Sequence, residues 1–149
     1  MSRLNDFLFS VSLPTQFATA QLFRIDGDGN LAYANAAHPP FLLFRRESGR
    51  ATVFEQPGHL LGAMPKMAFE EHALKVSPGD VLFVYTDGLT DRRTEAGDFY
   101  SIERIAALLE QSADGDLSSL YDVIYEDVRT FAATDDFKDD IAFVVTRFQ

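Results

Sequence analysis

Two uncharged runs, Val81-Leu82-Phe83-Val84-Tyr85 and Ile141-Ala142-Phe143-Val144-Val145, constrain this chain more than any other feature. A continuous apolar run of five residues suits a strand buried on both faces. Each run abuts acid. The first ends at Thr86-Asp87-Gly88 and the second starts from Asp139-Asp140. If the two strands lie antiparallel and side by side, those ends coincide. Carboxylates gathered at a sheet edge repel one another unless a cation joins them, and an all-oxygen donor set selects a hard ion such as magnesium or manganese. Taken singly, Asp-Gly is also a common turn pair, and an acidic pair before a strand is also a solvated strand start.

The elements around these strands set the fold class. Leu4, Phe7, Leu8 and Val11 recur at i, i+3, i+4 and i+7, which predicts a short helix with that apolar face inward, stopped by Pro14. Phe17 to Ile25 reads as a strand, Asp26 to Asn30 as a tight turn and Leu31 to Asn35 as the return strand. Phe41 to Phe44, Ala51 to Glu55 and Glu71 to Val76 read as further short strands, separated by Gly and Pro punctuation. Ser77-Pro78-Gly79-Asp80 is a turn feeding Val81. Two amphipathic helices follow, one with Ile102, Ile105, Ala106 and Leu109 on its stripe, the other with Leu120, Ile124, Val128 and Phe131 and with Asp116 as N-cap. A last strand covers Ile141 to Phe148. Strands, then helices, then a strand indicate an α+β sandwich of mainly antiparallel sheets.

At 149 residues with 46% apolar side chains, the chain has the length and the hydrophobic content for one domain, residues 1–149. It has no Cys, which excludes disulfides, thiol nucleophiles and Cys-ligated metal. The net charge of −10 is uneven: residues 1–75 carry 7 basic and 7 acidic side chains, residues 76–149 carry 6 and 16. That field repels phosphate backbones and anionic lipid, so neither nucleic acid nor membrane is an expected partner. No apolar run approaches a membrane span and the N-terminus does not open a signal peptide, so a cytoplasmic location is expected.

Other chemistries fail on spacing. Asp26-Gly27-Asp28-Gly29-Asn30 resembles the start of a calcium loop, but Leu31 stands where such a loop needs Gly and Ala37 where it needs a bidentate Glu. His38, His59 and His72 have no ligand spacing, and His38 within Asn35-Ala36-Ala37-His38-Pro39-Pro40 suits a structural hydrogen bond across a bend. No Gly-x-Ser-x-Gly elbow is present.

The ordered set Phe17-Ala18-Thr19-Ala20, Tyr33-Ala34-Asn35-Ala36-Ala37-His38-Pro39-Pro40, Leu61-Gly62, Pro78-Gly79-Asp80, Tyr85-Thr86-Asp87-Gly88-Leu89-Thr90-Asp91 and Asp139-Asp140-Ile141 resembles the SpoIIE-like branch of the PPM-type metal-dependent serine/threonine phosphatases. The resemblance implies an αββα sandwich holding two manganese or magnesium ions. It also implies that Asp87 and Asp139 are metal ligands, with Asp140 the less favoured member of its pair and Gly88 keeping the backbone close to the ions. The implied substrate is a phosphorylated regulatory protein such as an anti-sigma-factor antagonist.

Two departures are small: Ala37 stands where the family usually has Gly, and Asp91 where it usually has Glu. A larger one is that the sequence contains no Asp-x-x-Gly-x-Gly motif, which in the family supplies the bridging Asp. The expectation is therefore the C-terminal two-thirds of a phosphatase domain, with a strand edge exposed and self-association, as a homodimer or otherwise, to follow. A non-catalytic PPM-like binding or regulatory module is the alternative.

Overall fold

The computed structural model describes residues 1–13, 15–132 and 140–149; Pro14, the expected helix stop, and Asp139, an expected ligand, lie outside the described residues. The elements are α1 (Ser2–Val11), β1 (Ala20–Ile25), β2 (Asn30–Ala36), β3 (Phe41–Arg45), β4 (Arg50–Phe54), β5 (Glu71–Lys75), β6 (Val81–Tyr85), a single 3-10 turn (Asp87–Leu89), α2 (Ile102–Ser112), α3 (Leu117–Phe131) and β7 (Phe143–Arg147). Among the described residues, two antiparallel sheets and three α-helices make an α+β fold, as the sequence predicts. The chain forms two compact units, one from residues 1–38 and 56–76, the other from 39–55 and 77–149.

The first unit carries α1 and a three-stranded sheet in the order β1-β2-β5. The β1–β2 hairpin closes as expected from its Asp, Gly and Asn content. Asp26 Oδ1 accepts the backbone N–H groups of Asp28 and Asn30 at 3.0 and 2.9 Å, and Oδ2 accepts Asn30 Nδ2 at 2.8 Å. These bonds, led by the Asn30 side chain, hold the Asp26 carboxyl below its ordinary range. The loop is a hairpin turn wired by its own first residue.

Helix α1 departs from the predicted orientation. Leu4, Phe7 and Val11, expected inward, are exposed, and the buried residue is Asn5. The reason is polar. Asn5 Oδ1 accepts the Gly62 N–H at 3.0 Å, its Nδ2 donates to the Met64 carbonyl at 3.0 Å, and Asp6 Oδ1 accepts the Lys66 N–H at 2.8 Å. The helix thus docks on the 61–66 loop by satisfying backbone groups that the loop cannot pair internally.

The bend after β2 is built the same way. Buried Asn35 accepts the His38 N–H at Oδ1 (3.1 Å) and donates through Nδ2 to the carbonyls of His38 (3.2 Å) and Gln56 (2.6 Å). His38 makes the expected structural bond, Nδ1 to Thr19 Oγ1 at 3.0 Å. A side chain at Gly58 would put Cβ only 2.7 Å from Asn35 O and Ala37 N, so that close approach requires Gly. Ala37, in the middle of the bend, has φ +52°.

The second unit is a four-stranded sheet in the order β4-β3-β6-β7, with α2 and α3 supplying its core partners. Nearly every residue of β3 and β6 is buried, the mark of central strands. Phe44, Phe83, Tyr85, Leu89, Tyr100, Ile105, Leu109, Leu120 and Ile124 form its core. Strand β7 differs from expectation. It lies at the sheet edge, pairs with β6, and alternates half-buried with exposed residues, so that Val144 is 61% exposed. Its inward Phe143 stacks on Phe83 (5.4 Å between centroids) and on Tyr121 of α3 (4.8 Å). One face of β7 is covered through Phe143 and the other is exposed, which a run of apolar letters cannot reveal.

Asp116 caps α3 as expected, its Oδ1 accepting the Ser119 N–H at 2.9 Å, and at the start of α2 Ser101 Oγ accepts the Arg104 N–H. Buried Tyr100 donates its hydroxyl to Asp127 Oδ2 at 2.7 Å, and Arg104 grips the same carboxylate through Nε (2.6 Å) and Nη2 (2.7 Å). The turn before β6 is held by Asp80, 2% exposed, which accepts Arg45 Nη1 (2.9 Å) and the N–H groups of Arg46 and Ser77 (both 3.0 Å).

Two outcomes follow from these contacts. Ala37→Gly removes an L-residue from the left-handed region, where it costs about 1–2 kcal/mol, against about 0.5–1 kcal/mol of extra chain entropy for Gly. It should raise stability by about 0.5–1 kcal/mol, measured as a higher urea midpoint at unchanged slope. The Arg104 hydrogen bonds hold Asp127 below its usual 3.8. A depressed carboxyl contributes stability that is present above its unfolded pKa and lost as pH falls through the folded value. Asp127→Asn should therefore cost about 1–2 kcal/mol near pH 7 and flatten the acid limb of stability below about pH 4, measured by urea titrations across pH.

Candidate metal centre

The candidate centre lies at the end of the β6–β7 ladder. The two strands are antiparallel in the register Val81↔Arg147 through Tyr85↔Phe143, so the C-terminal end of β6 meets the N-terminal end of β7. One residue further, the Thr86 N–H donates to the Ala142 carbonyl at 2.9 Å. Asp87 is the next residue on one side, and Asp140 lies two residues before Ala142 on the other. The coincidence of acidic strand ends expected from the sequence is present for Asp87 and Asp140; Asp139 is not among the described residues.

Asp87 opens the 3-10 turn, exposed to solvent, while Gly88 and Leu89 behind it are buried. Leu89 packs into the core with Tyr100 and Ile105 and anchors the turn from below. Asp87 Oδ1 accepts the Gly88 N–H at 3.0 Å, and the Asp87 carbonyl accepts the Asp91 N–H at 2.8 Å and Thr90 Oγ1 at 3.2 Å. One oxygen of the exposed carboxylate is thereby held by its own turn.

Thr86, which sequence reading passed over, links the two segments. Its Oγ1 accepts the Ala142 N–H at 3.0 Å and lies 3.2 and 3.3 Å from the carbonyls of Asp140 and Ala142. The available signal was a hydroxyl-bearing β-branched residue at the last extended position before Asp-Gly. Tyr85, just inside, packs in the core, and burial with the carboxylates of Glu103 and Glu55 pushes its hydroxyl up to about 12. Beside Asp140, a cleft of about 410 Å³ is lined by Tyr121, Tyr125, Val128 and Phe143 as well as residues 140–142.

The donor chemistry fits a hard divalent cation, since Asp87 and Asp140 offer carboxylate oxygen and no His joins them. The number of donors is small. Among the described residues, no group of three or more His, Cys, Asp or Glu is arranged to hold a metal ion. Also among the described residues, no helix is long and apolar enough to cross a membrane.

The family described as Stage II sporulation protein E (SpoIIE) matches residues 1–149. Protein IcfG of Synechocystis sp. (strain ATCC 27184 / PCC 6803 / Kazusa) is 37% identical over 94 residues, 62% of this chain and 15% of that protein. The phosphoserine phosphatase RsbU of Bacillus subtilis (strain 168) is 27% identical over 109 residues, 70% of this chain and 32% of that protein. The chain therefore spans a third or less of the length of either relative. The solved phosphatase domain of the cell fate determinant SpoIIE from Bacillus subtilis, presoaked with Mn, superposes with a TM-score of 0.70 at 16% identity, covering 93% of this chain and 61% of that one. With that fold, the acidic ends of β6 and β7 on one sheet edge, and a family match over its whole length, the chain belongs to the SpoIIE family of PPM-type phosphatase domains.

Proposed function

We propose that this chain forms part of a metal-dependent protein serine/threonine phosphatase that hydrolyses phosphoserine or phosphothreonine on a regulatory protein, such as an anti-sigma-factor antagonist in bacterial cytoplasmic signalling. The observation that carries this reading is the junction of the Asp87 turn with the Asp140–Ala142 segment across the β6–β7 ladder. Asp87 and Asp139 are read as the ligands of manganese or magnesium, Asp140 as the less favoured alternative to Asp139, and Gly88 as the backbone that lets the turn lie close to the site. When bound, such ions supply an activated water and neutralise charge on the transferring phosphoryl group.

The protein's own part is to bind and orient. The Gly88 N–H fixes one oxygen of Asp87 and leaves the other for a cation. The cleft next to Asp140 offers apolar and aromatic surface to the chain that carries the phosphoryl group. The edge position of β7 and the apolar outer face of α1 support self-association.

A second reading, a non-catalytic PPM-like docking or regulatory module, is favoured by one observation: the absence of a three-donor metal cluster among the described residues. The two readings separate in one assay, manganese-dependent phosphate release from a phosphoserine protein. The 149-residue chain alone should bind manganese weakly and turn over little. The same chain extended by a family segment bearing Asp-x-x-Gly-x-Gly should gain activity. Asp87→Asn in the extended protein should lower that activity by at least about 100-fold, the upper end of what losing even an outer partner of a metal site costs, with the fold intact by circular dichroism. Full activity in the Asp87→Asn protein would refute the ligand assignment, and an inactive extended protein would favour the docking module.

A further inference from the structure

The residue that joins the two halves of the candidate centre has a side-chain arrangement that strand pairing does not require. Thr86 remains extended (φ −90°, ψ 155°), and its backbone N–H continues the ladder to the Ala142 carbonyl at 2.9 Å. Its hydroxyl adds a second connection to the same segment: Oγ1 accepts the Ala142 N–H at 3.0 Å, with its own proton within reach of the carbonyls of Asp140 (3.2 Å) and Ala142 (3.3 Å). The regular β6–β7 register stops at Tyr85↔Phe143. Beyond that pair both chains lead directly into acid, Asp87 on one side and Asp140 on the other.

Like charges at two adjoining strand ends push those ends apart, and the last rungs of a ladder are where pairing opens first. A hard cation bound by carboxylate oxygens at about 2.0–2.6 Å rewards donors whose spacing is set beforehand. We propose that Thr86 is a positioning residue of this centre: its hydroxyl ties the Asp140–Ala142 segment to the Asp87 turn and so presets the separation of the carboxylate-bearing backbones. The proposal rests on the reading of Asp87 as a metal ligand. Thr86 itself touches neither ion nor substrate; it acts through the backbone of Asp140 and Ala142.

Valine matches threonine in shape and lacks the hydroxyl, whereas serine keeps the hydroxyl and lacks the methyl. The test is a manganese titration of the full 149-residue chain, followed by the electron paramagnetic resonance of free Mn²⁺, for wild type, Thr86→Val, Thr86→Ser and Asp87→Asn. Amide hydrogen exchange at Ala142 and thermal melting are measured on the same proteins without metal. Thr86→Val should weaken manganese binding about tenfold or more and speed exchange at Ala142, while Thr86→Ser stays within about twofold of wild type in both. Wild-type affinity in Thr86→Val, with affinity lost in Asp87→Asn, would overturn the positioning role while leaving the ligand assignment standing. The same holds if Thr86→Val melts earlier or exchanges faster with no change in affinity, which is a structural role only. A Thr86→Ser protein as weak as Thr86→Val would overturn the part given to the hydroxyl. Unchanged binding in Asp87→Asn, or no saturable binding by wild type, would overturn the metal reading of Asp87 and this proposal with it.

Discussion

The antiparallel pairing of β6 with β7 is the constraint on which the second unit and its candidate centre depend. It joins a strand at residues 81–85 to one at residues 143–147, and in doing so returns the end of the chain to the middle of its own sequence. Such a contact is expensive in chain entropy, and it is held by packing as much as by the ladder. Phe143 lies between Phe83 and Tyr121, so the edge strand is clamped to the central strand on one side and to α3 on the other. The Arg147 guanidinium adds bonds to the carbonyls of Ala113 and Gly115 at the connection between α2 and α3. At the far end, Gly79 N–H donates to Phe148 O (2.8 Å) and Phe148 N–H to Asp80 O (3.0 Å). Both ends of the ladder are therefore fixed, and the acidic end is closed by Thr86.

A recurrent device runs through the fold: a buried or half-buried polar side chain supplies the partners that a bend in the backbone would otherwise lack. Asn5 does this for the loop at 61–66, Asn35 for the bend before Pro39, and Asp80 for the turn before β6. Unpaired backbone groups in a protein interior cost about 1–3 kcal/mol each, so these residues determine local chain direction more strongly than any one apolar contact beside them. Several of the motifs by which the family is recognised have this structural content. Asn35-Ala36-Ala37-His38 and Pro78-Gly79-Asp80 shape backbone, whereas the Asp87 carboxylate, at the start of its turn, is exposed.

The charge distribution has a corresponding division. All of the acidic excess lies after residue 75, in the stretch that also carries Asp87, Asp139 and Asp140. Some of those carboxylates are used internally, as in the Tyr100–Asp127–Arg104 cluster that joins the start of α2 to α3. A concentration of negative charge around strand ends raises the local attraction for divalent cations and opposes the approach of a polyanion.

What was legible in the sequence was local. Helical periodicity, short apolar runs and Gly/Pro punctuation located the helices and strands of the described residues, Asp26 to Asn30 read as a turn, Asp116 as a cap, and the Asp87 turn as the end of a buried strand, because each depends on residues a few positions apart. The juxtaposition of Asp87 with the Asp140 segment could be posed as a condition, since two apolar strands with acidic ends admit few arrangements. Only the tertiary structure decided that they are neighbours in antiparallel register, that β7 is an edge strand with Val144 exposed, and that α1 docks through Asn5 with Leu4, Phe7 and Val11 outward. Thr86 belongs with these. A sequence specifies which residues are apolar and where the chain can turn, but which face is covered and which hydroxyl meets which carbonyl depend on partners brought together from 54 and 56 residues away.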